Sequence, residues 1–110
     1  MKSFNQKVAA ITGAGSGIGQ QLAILLAQQG AHLALSDVND KGLADTLSLV
    51  KQYPVNVTLT KLDVSNQKAM REWAENSFKD HGKINLIFNN AGVALASTVE
   101  GMSYEEMEWI

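Results

Sequence analysis

The sequence contains no cysteine, one proline, few aromatic residues (6%) and a modest 18% of charged residues over 110 positions. Zero cysteine excludes a disulfide framework, a thiolate metal site and a cysteine nucleophile. The two histidines, His32 and His81, have no partner at metal-ligand spacing. They read as a strand histidine and a turn histidine, so no metal site is expected. Neither sign of charge dominates, with 9 Lys and Arg against 11 Asp and Glu and a net charge of −2. That balance argues against nucleic acid or an anionic membrane surface as a partner. No apolar run is long enough to cross a bilayer. The start of the chain carries Lys2 and Lys7 but no apolar stretch of signal-peptide type, so a cytoplasmic location is expected. With 45% hydrophobic residues, the length suits one domain with its own core.

Apolar patterning alternates between two kinds of segment. Val8 to Ile11 is a short apolar run that ends in glycines, the mark of a buried strand. Ile18, Leu22, Leu25 and Leu26 recur at helical spacing, and Gly30 supplies a stop. Ala31 to Ser36 reads as a second strand. Leu43, Leu47 and Val50 form a second helical face, closed before Pro54 because proline disfavours helix in the residue preceding it. Val55 to Leu62 alternates and is β-branched, a third strand. Met70, Trp73, Ala74, Ser77 and Phe78 mark a third helix that ends at Asp80-His81-Gly82, and Ile84 to Phe88 is a fourth strand. Ser103 to Glu106 has the form of a capping box, and Glu105, Glu106 and Glu108 suit the positive end of a helix dipole. The order βαβαβαβ predicts an α/β fold, a doubly wound parallel sheet of Rossmann type with strand order 3-2-1-4. In that order the segment 84–88 is a hydrophobic edge that the next strand should cover.

After the first strand comes Thr12-Gly13-Ala14-Gly15-Ser16-Gly17-Ile18-Gly19. Glycine permits a tight turn and a close approach of backbone to a ligand. A helix beginning near Gly17 offers unpaired N–H groups and its positive dipole end, a place for a diphosphate. The spacing fails G-x-G-x-x-G, because Ile18 holds the third position, but it matches T-G-x-x-x-G-x-G. No Lys or Arg lies in the loop, so a P-loop is excluded and anion binding would rest on backbone. A plain turn is the alternative for such a cluster. Asp37 follows the second strand, 18 residues after Gly19. It can accept from the ribose hydroxyls of a dinucleotide and repel a 2′-phosphate, which favours NAD over NADP. Its bland alternative is a turn acid in Asp-Val-Asn-Asp.

The loop at 12–19, Asp37, Leu62-Asp63-Val64 and Asn89-Asn90-Ala91-Gly92 stand in an order that resembles the short-chain dehydrogenase/reductase family from residue 7 to the end. The loop itself offers Gly13, Gly15, Ser16, Gly17 and Gly19 as cofactor-binding residues, and the resemblance implies that Ile18 lies on the diphosphate side and that Asp63 and Val64 contact adenine. It implies further that Asn90, Ala91 and Gly92 line the nicotinamide-side ribose, while Asn89 holds the sheet. Taken alone, Asp63 also suits a helix-start acid and Asn89 and Asn90 suit turns.

Family members resemble one another in a catalytic Tyr with a Lys four residues later, which this sequence does not show. Four residues after Tyr53 is Val57 and four after Tyr104 is Glu108. Ser97 and Ser103 fall in a loop, not on the strand expected for the family's Ser, and its Asn would fall just after Ile110. No catalytic residue is therefore assigned. The expectation is that residues 1–110 are an NAD(P)-binding Rossmann domain, incomplete at its C-terminus and inactive alone. Within a longer, homo-oligomeric enzyme it would serve hydride transfer between NAD and a secondary alcohol or ketone. The alternative is a dinucleotide-binding module without turnover, which leaves 84–88 as an unprotected edge.

Overall fold

The computed structural model describes residues 4–90 and the backbone of Glu108 and Trp109. Four strands alternate with three helices: β1 (Val8–Thr12), α1 (Gly17–Gln28), β2 (His32–Asp37), α2 (Asp40–Val50), β3 (Val57–Lys61), α3 (Gln67–His81) and β4 (Leu86–Asn89). A two-residue strand, β5 (Glu108–Trp109), completes the sheet, whose order is β3-β2-β1-β4-β5 with all pairs parallel. The first four positions are the expected 3-2-1-4 arrangement.

β5 corrects the expectation of a helix opening here. Its backbone pairs Leu86 with Glu108 and Ile87 with Trp109. An uncovered edge of apolar residues leaves a row of N–H and C=O groups to satisfy, and strand pairing does so. Ser103 to Met107, including the capping box, lie outside the described residues.

Strand alternation divides the core into two layers. Ala9, Ile11, Leu33 and Leu35 face α1 and α2, where they meet Ala23, Leu26, Ala27, Leu43 and Val50. Ala10, Ala34 and Ile87 point the other way, onto Met70, Trp73 and Ala74 of α3. On that second side, alanines on the strands make room for the bulk of Met70 and Trp73, matching volume across the interface.

α1 presents a different face from the one its large residues suggest. Gly19, Ala23, Leu26 and Ala27 are buried, whereas Ile18 and Leu25 are 71% and 57% exposed. Small residues line the contact because the helix lies close on the sheet. The ends of the other helices follow local chemistry. Asn39 caps α2 by accepting from the Gly42 amide at 3.1 Å, and Asn66 caps α3 by accepting from Ala69 at 3.0 Å. α3 ends at Gly82 with φ 80°, the left-handed conformation that favours glycine after a helix.

Candidate functional site

The carboxyl ends of β1, β2 and β4 converge on the glycine loop. Gly13 and Gly17 adopt φ of 65° and 56°, a region that a side chain with Cβ enters only at a cost. These two turns reverse the chain from β1 into α1. Ser16 is the residue before the helix, yet its side chain caps nothing, and no acid stands in the first turn. The helix thus brings no acid of its own to the amides of its first turn, a setting suited to an anion.

Gly19 is a position in the loop with no room for a Cβ. One added there would collide with the Gly13 carbonyl and stand 2.9 Å from Asn90 Nδ2. Gly15 is equally confined: its Cβ would lie 2.9 Å from Asp37 Oδ2 and 3.1 Å from the Gly42 carbonyl carbon.

Asp37, half-buried at the end of β2, reaches the loop directly. Its Oδ2 accepts from the Gly15 amide at 2.8 Å, and its Oδ1 accepts from the Asn39 amide at 2.9 Å. A cleft of about 170 Å³ opens beside it, lined by Gly13, Asp37, Val38, Leu62 and Val64. The walls are apolar apart from the Asp37 carboxylate, so the cleft fits a flat heterocycle with a polar sugar edge. This cradle and its lone carboxylate suit the adenosine half of a dinucleotide.

Asp63, between two residues that line the cleft, is not itself among its walls. It is exposed, and its Oδ1 accepts from the Ser65 hydroxyl at 2.7 Å and the Ser65 amide at 2.9 Å. These bonds, the hydroxyl first, hold its carboxyl below the usual carboxylate range, against a small opposing effect of burial. Of the Leu62-Asp63-Val64 triplet, the two apolar members line the cleft and the acid closes a turn before α3.

On the β4 side, Asn90 Nδ2 donates to the Gly13 carbonyl at 3.3 Å. The Thr12 hydroxyl donates to Asn89 Oδ1 at 3.4 Å, across the paired ends of β1 and β4. Asn89 thus ties the strands and Asn90 ties β4 to the loop. Leu22, Phe88, Asn89 and Asn90 line a second cleft of about 200 Å³. Ala91 and Gly92 lie outside the described residues. No cluster of three or more His, Cys, Asp or Glu able to hold a metal ion occurs among the described residues.

Three residues at the loop escape sequence reasoning. Gly42, in the first turn of α2, touches the loop so closely that its Cβ would lie 2.6 Å from the Gly15 carbonyl oxygen. The buried Thr46 hydroxyl donates to the Ala14 carbonyl at 2.7 Å and lies 3.1 Å from the Gly42 carbonyl, while Gln20 Nε2 donates to it at 2.9 Å. The signals in the sequence are a glycine inside a helix and a threonine on the buried stripe between Leu43 and Val50.

A parallel sheet in this order, with a glycine loop and a strand-end acid at the crevice, defines a Rossmann-type fold. The family model for short chain dehydrogenases matches residues 7–110, and the chain belongs to that family. It is similar to the protein SadH of Mycobacterium tuberculosis, 41% identical over 100% of this chain and 40% of that protein. A CLA biosynthesis dehydrogenase/reductase of Lactiplantibacillus plantarum is 32% identical over 100% of this chain and 38% of its own length. The chain thus spans about two fifths of these curated relatives. Among solved structures, an NAD+-bound xylitol dehydrogenase is 37% identical with a TM-score of 0.79, over 84% of this chain and 35% of the other. A short-chain dehydrogenase/reductase from Burkholderia phymatum, in complex with NAD, is 41% identical with a TM-score of 0.78, over 84% and 33%.

Proposed function

We propose that residues 1–110 form a nucleotide-binding unit that takes NAD and serves an oxidoreductase acting on a secondary alcohol or ketone. The observation that carries this reading is the Asp37 carboxylate, held at the mouth of the apolar cleft and bonded to the Gly15 amide. A carboxylate there accepts from both ribose hydroxyls and repels a 2′-phosphate, so NAD is preferred over NADP. Backbone amides of Ser16, Gly17, Ile18 and Gly19 would hold the diphosphate, with Gly13 and Gly15 shaping the turn that presents them, Val64 and Leu62 against adenine and Asn90, Ala91 and Gly92 toward the nicotinamide side. Asp63 would meet the adenine amine with the oxygen that Ser65 does not engage. When bound, the nicotinamide carries the hydride, and the protein supplies binding and orientation.

The relatives' names support the oxidoreductase reading: a dehydrogenase/reductase and an NAD+-bound dehydrogenase are among the proteins it resembles. The substrates proposed are small alcohols or carbonyl compounds, in a cytoplasmic homo-oligomer. Among the described residues no helix is long and apolar enough to cross a membrane. Calorimetric titration of the protein with NAD and NADP tests the reading: NAD should bind tighter, and failure to bind NAD overturns it.

A second reading, dinucleotide binding without turnover, is favoured by one observation. Neither Tyr53 nor Tyr104 is followed by a lysine four residues on. An NAD-coupled absorbance assay of the full-length protein with a panel of alcohols and ketones separates the two: turnover supports the oxidoreductase, and NAD binding without turnover supports the binding module.

A further inference from the structure

The peptide unit between Ala14 and Gly15 is held at both ends by side chains from different elements. Its carbonyl accepts from the Thr46 hydroxyl of α2 at 2.7 Å, and its N–H donates to the Asp37 carboxylate of β2 at 2.8 Å. The Ala14 amide is also engaged, donating to the Ser36 carbonyl at 3.0 Å. We propose that Thr46 is a positioning residue for dinucleotide binding: with Asp37 it clamps the Ala14–Gly15 peptide in the one orientation that keeps its carbonyl away from the anion site. The inference rests on the reading of this loop as the NAD diphosphate cradle.

The geometry around Thr46 supports a dedicated role. A hydroxyl has one proton to give, and the shorter contact, 2.7 Å against 3.1 Å to the helical Gly42 carbonyl, goes to the loop. Gln20 of α1 donates to the same oxygen at 2.9 Å. A donor approaching the lone pairs leaves the proton to point at Ala14 and polarises the O–H bond, strengthening the contact. One buried hydroxyl therefore joins α1, α2 and the loop between them.

The clamp needs α2 close to the loop, and Gly42 allows it: nothing larger fits against the Gly15 backbone. The alternative orientation of a peptide between glycine-rich turns costs little when both of its ends are free. Here a flip would lose two hydrogen bonds and bury the Thr46 hydroxyl without its loop acceptor. It would also turn the negative end of a peptide dipole away from α2, toward the side where the diphosphate would lie. Orientation of the loop thus depends on a residue that has no need to touch the ligand.

The test uses Thr46→Val, which removes the hydroxyl and keeps the shape, and Thr46→Ser, which restores it, in the full chain. Thr46→Val should weaken NAD binding about tenfold, the loss of one well-placed hydrogen bond, and Thr46→Ser should stay within about twofold of the parent. Without ligand, the Gly15 amide should exchange at least about tenfold faster in Thr46→Val, measured relative to the sheet amide of Leu33. A Thr46→Val protein that is less stable but keeps its NAD affinity, or whose Gly15 exchange follows Leu33, overturns the clamp. Amide exchange is measured without ligand, so failure of the parent to bind NAD would count against the proposed function and not against the clamp. Should Thr46→Val not fold, Thr46→Cys, a weak donor of similar volume, takes its place under the same criteria.

Discussion

The carboxylate of Asp37 accepts a hydrogen bond from the Gly15 amide at 2.8 Å. It thereby joins the end of β2 to a loop that leaves β1, two segments placed side by side by parallel pairing of β1 with β2. With the ribose role proposed above, sugar recognition and loop geometry would meet in this one side chain. Its removal is therefore expected to act on both.

Asp37→Ala should weaken NAD binding by about 10- to 100-fold, the range for hydrogen bonds made by a charged group. NADP should suffer less, because the carboxylate that repels its 2′-phosphate is gone. Titrations with both nucleotides measure the ratio, and an unchanged NAD-to-NADP preference would refute the ribose role.

Gly19→Ala should destabilise the fold by about 1–3 kcal/mol, the usual range for overpacking. The new methyl must displace the Gly13 carbonyl and crowd Asn90, so NAD affinity should fall with stability. Urea denaturation paired with NAD titration reads both. A variant of parental stability and affinity would show that the helix start can shift freely.

Met70→Ala and Leu25→Ala form a contrasting pair. Met70 is fully buried against the sheet, and its truncation should cost about 2–5 kcal/mol. Leu25, although at core spacing in the sequence, is 57% exposed, and its loss should stay within about 0.5 kcal/mol. Denaturation midpoints that rank the two the other way would contradict the assigned face of α1.

His81 sets a direction for acid sensitivity. Burial lowers its pKa, the nearby His32 adds to that, and Asp80 opposes it. Its Nε2 lies 3.0 Å from the Thr58 hydroxyl. Because the folded value lies below the unfolded value of about 6.5, the unfolded chain binds more protons in this window. Stability is then complete above about pH 6.5 and is lost as the pH falls toward the folded value. His81→Gln should flatten the decline of thermal midpoint between about pH 7 and pH 5. An equal slope in both proteins would place the sensitivity elsewhere.

Much of this architecture is legible along the chain because it is encoded by short-range patterns. Val8 to Ile11 followed by glycines, the alternation around Val57 to Lys61, and the apolar spacing from Met70 to Phe78 each specify an element from neighbouring residues alone. Gly82 ends α3 where a left-handed residue was needed. The strand order follows from parallel crossovers, which leave few alternatives. What escaped was long-range. Ile18 and Leu25 have core spacing, yet the close approach of α1 to the sheet selects Gly19 and Ala23 as its inner face. Glu108 and Trp109 suit a helix start, but an open edge on β4 draws them into a strand. Asp63 sits in the expected triplet, and a local turn with Ser65 competes for its carboxylate.

The sequence by itself determined a parallel α/β sheet, a glycine loop between strand and helix, and an acid at the end of the second strand. Each is a matter of spacing along one chain. Tertiary structure alone decided that Asp37 and Thr46 hold opposite ends of one loop peptide and that Gly42 had to be glycine. Those residues lie in separate elements, and their relation exists only once packing has brought α2 against the loop, at distances no periodicity records.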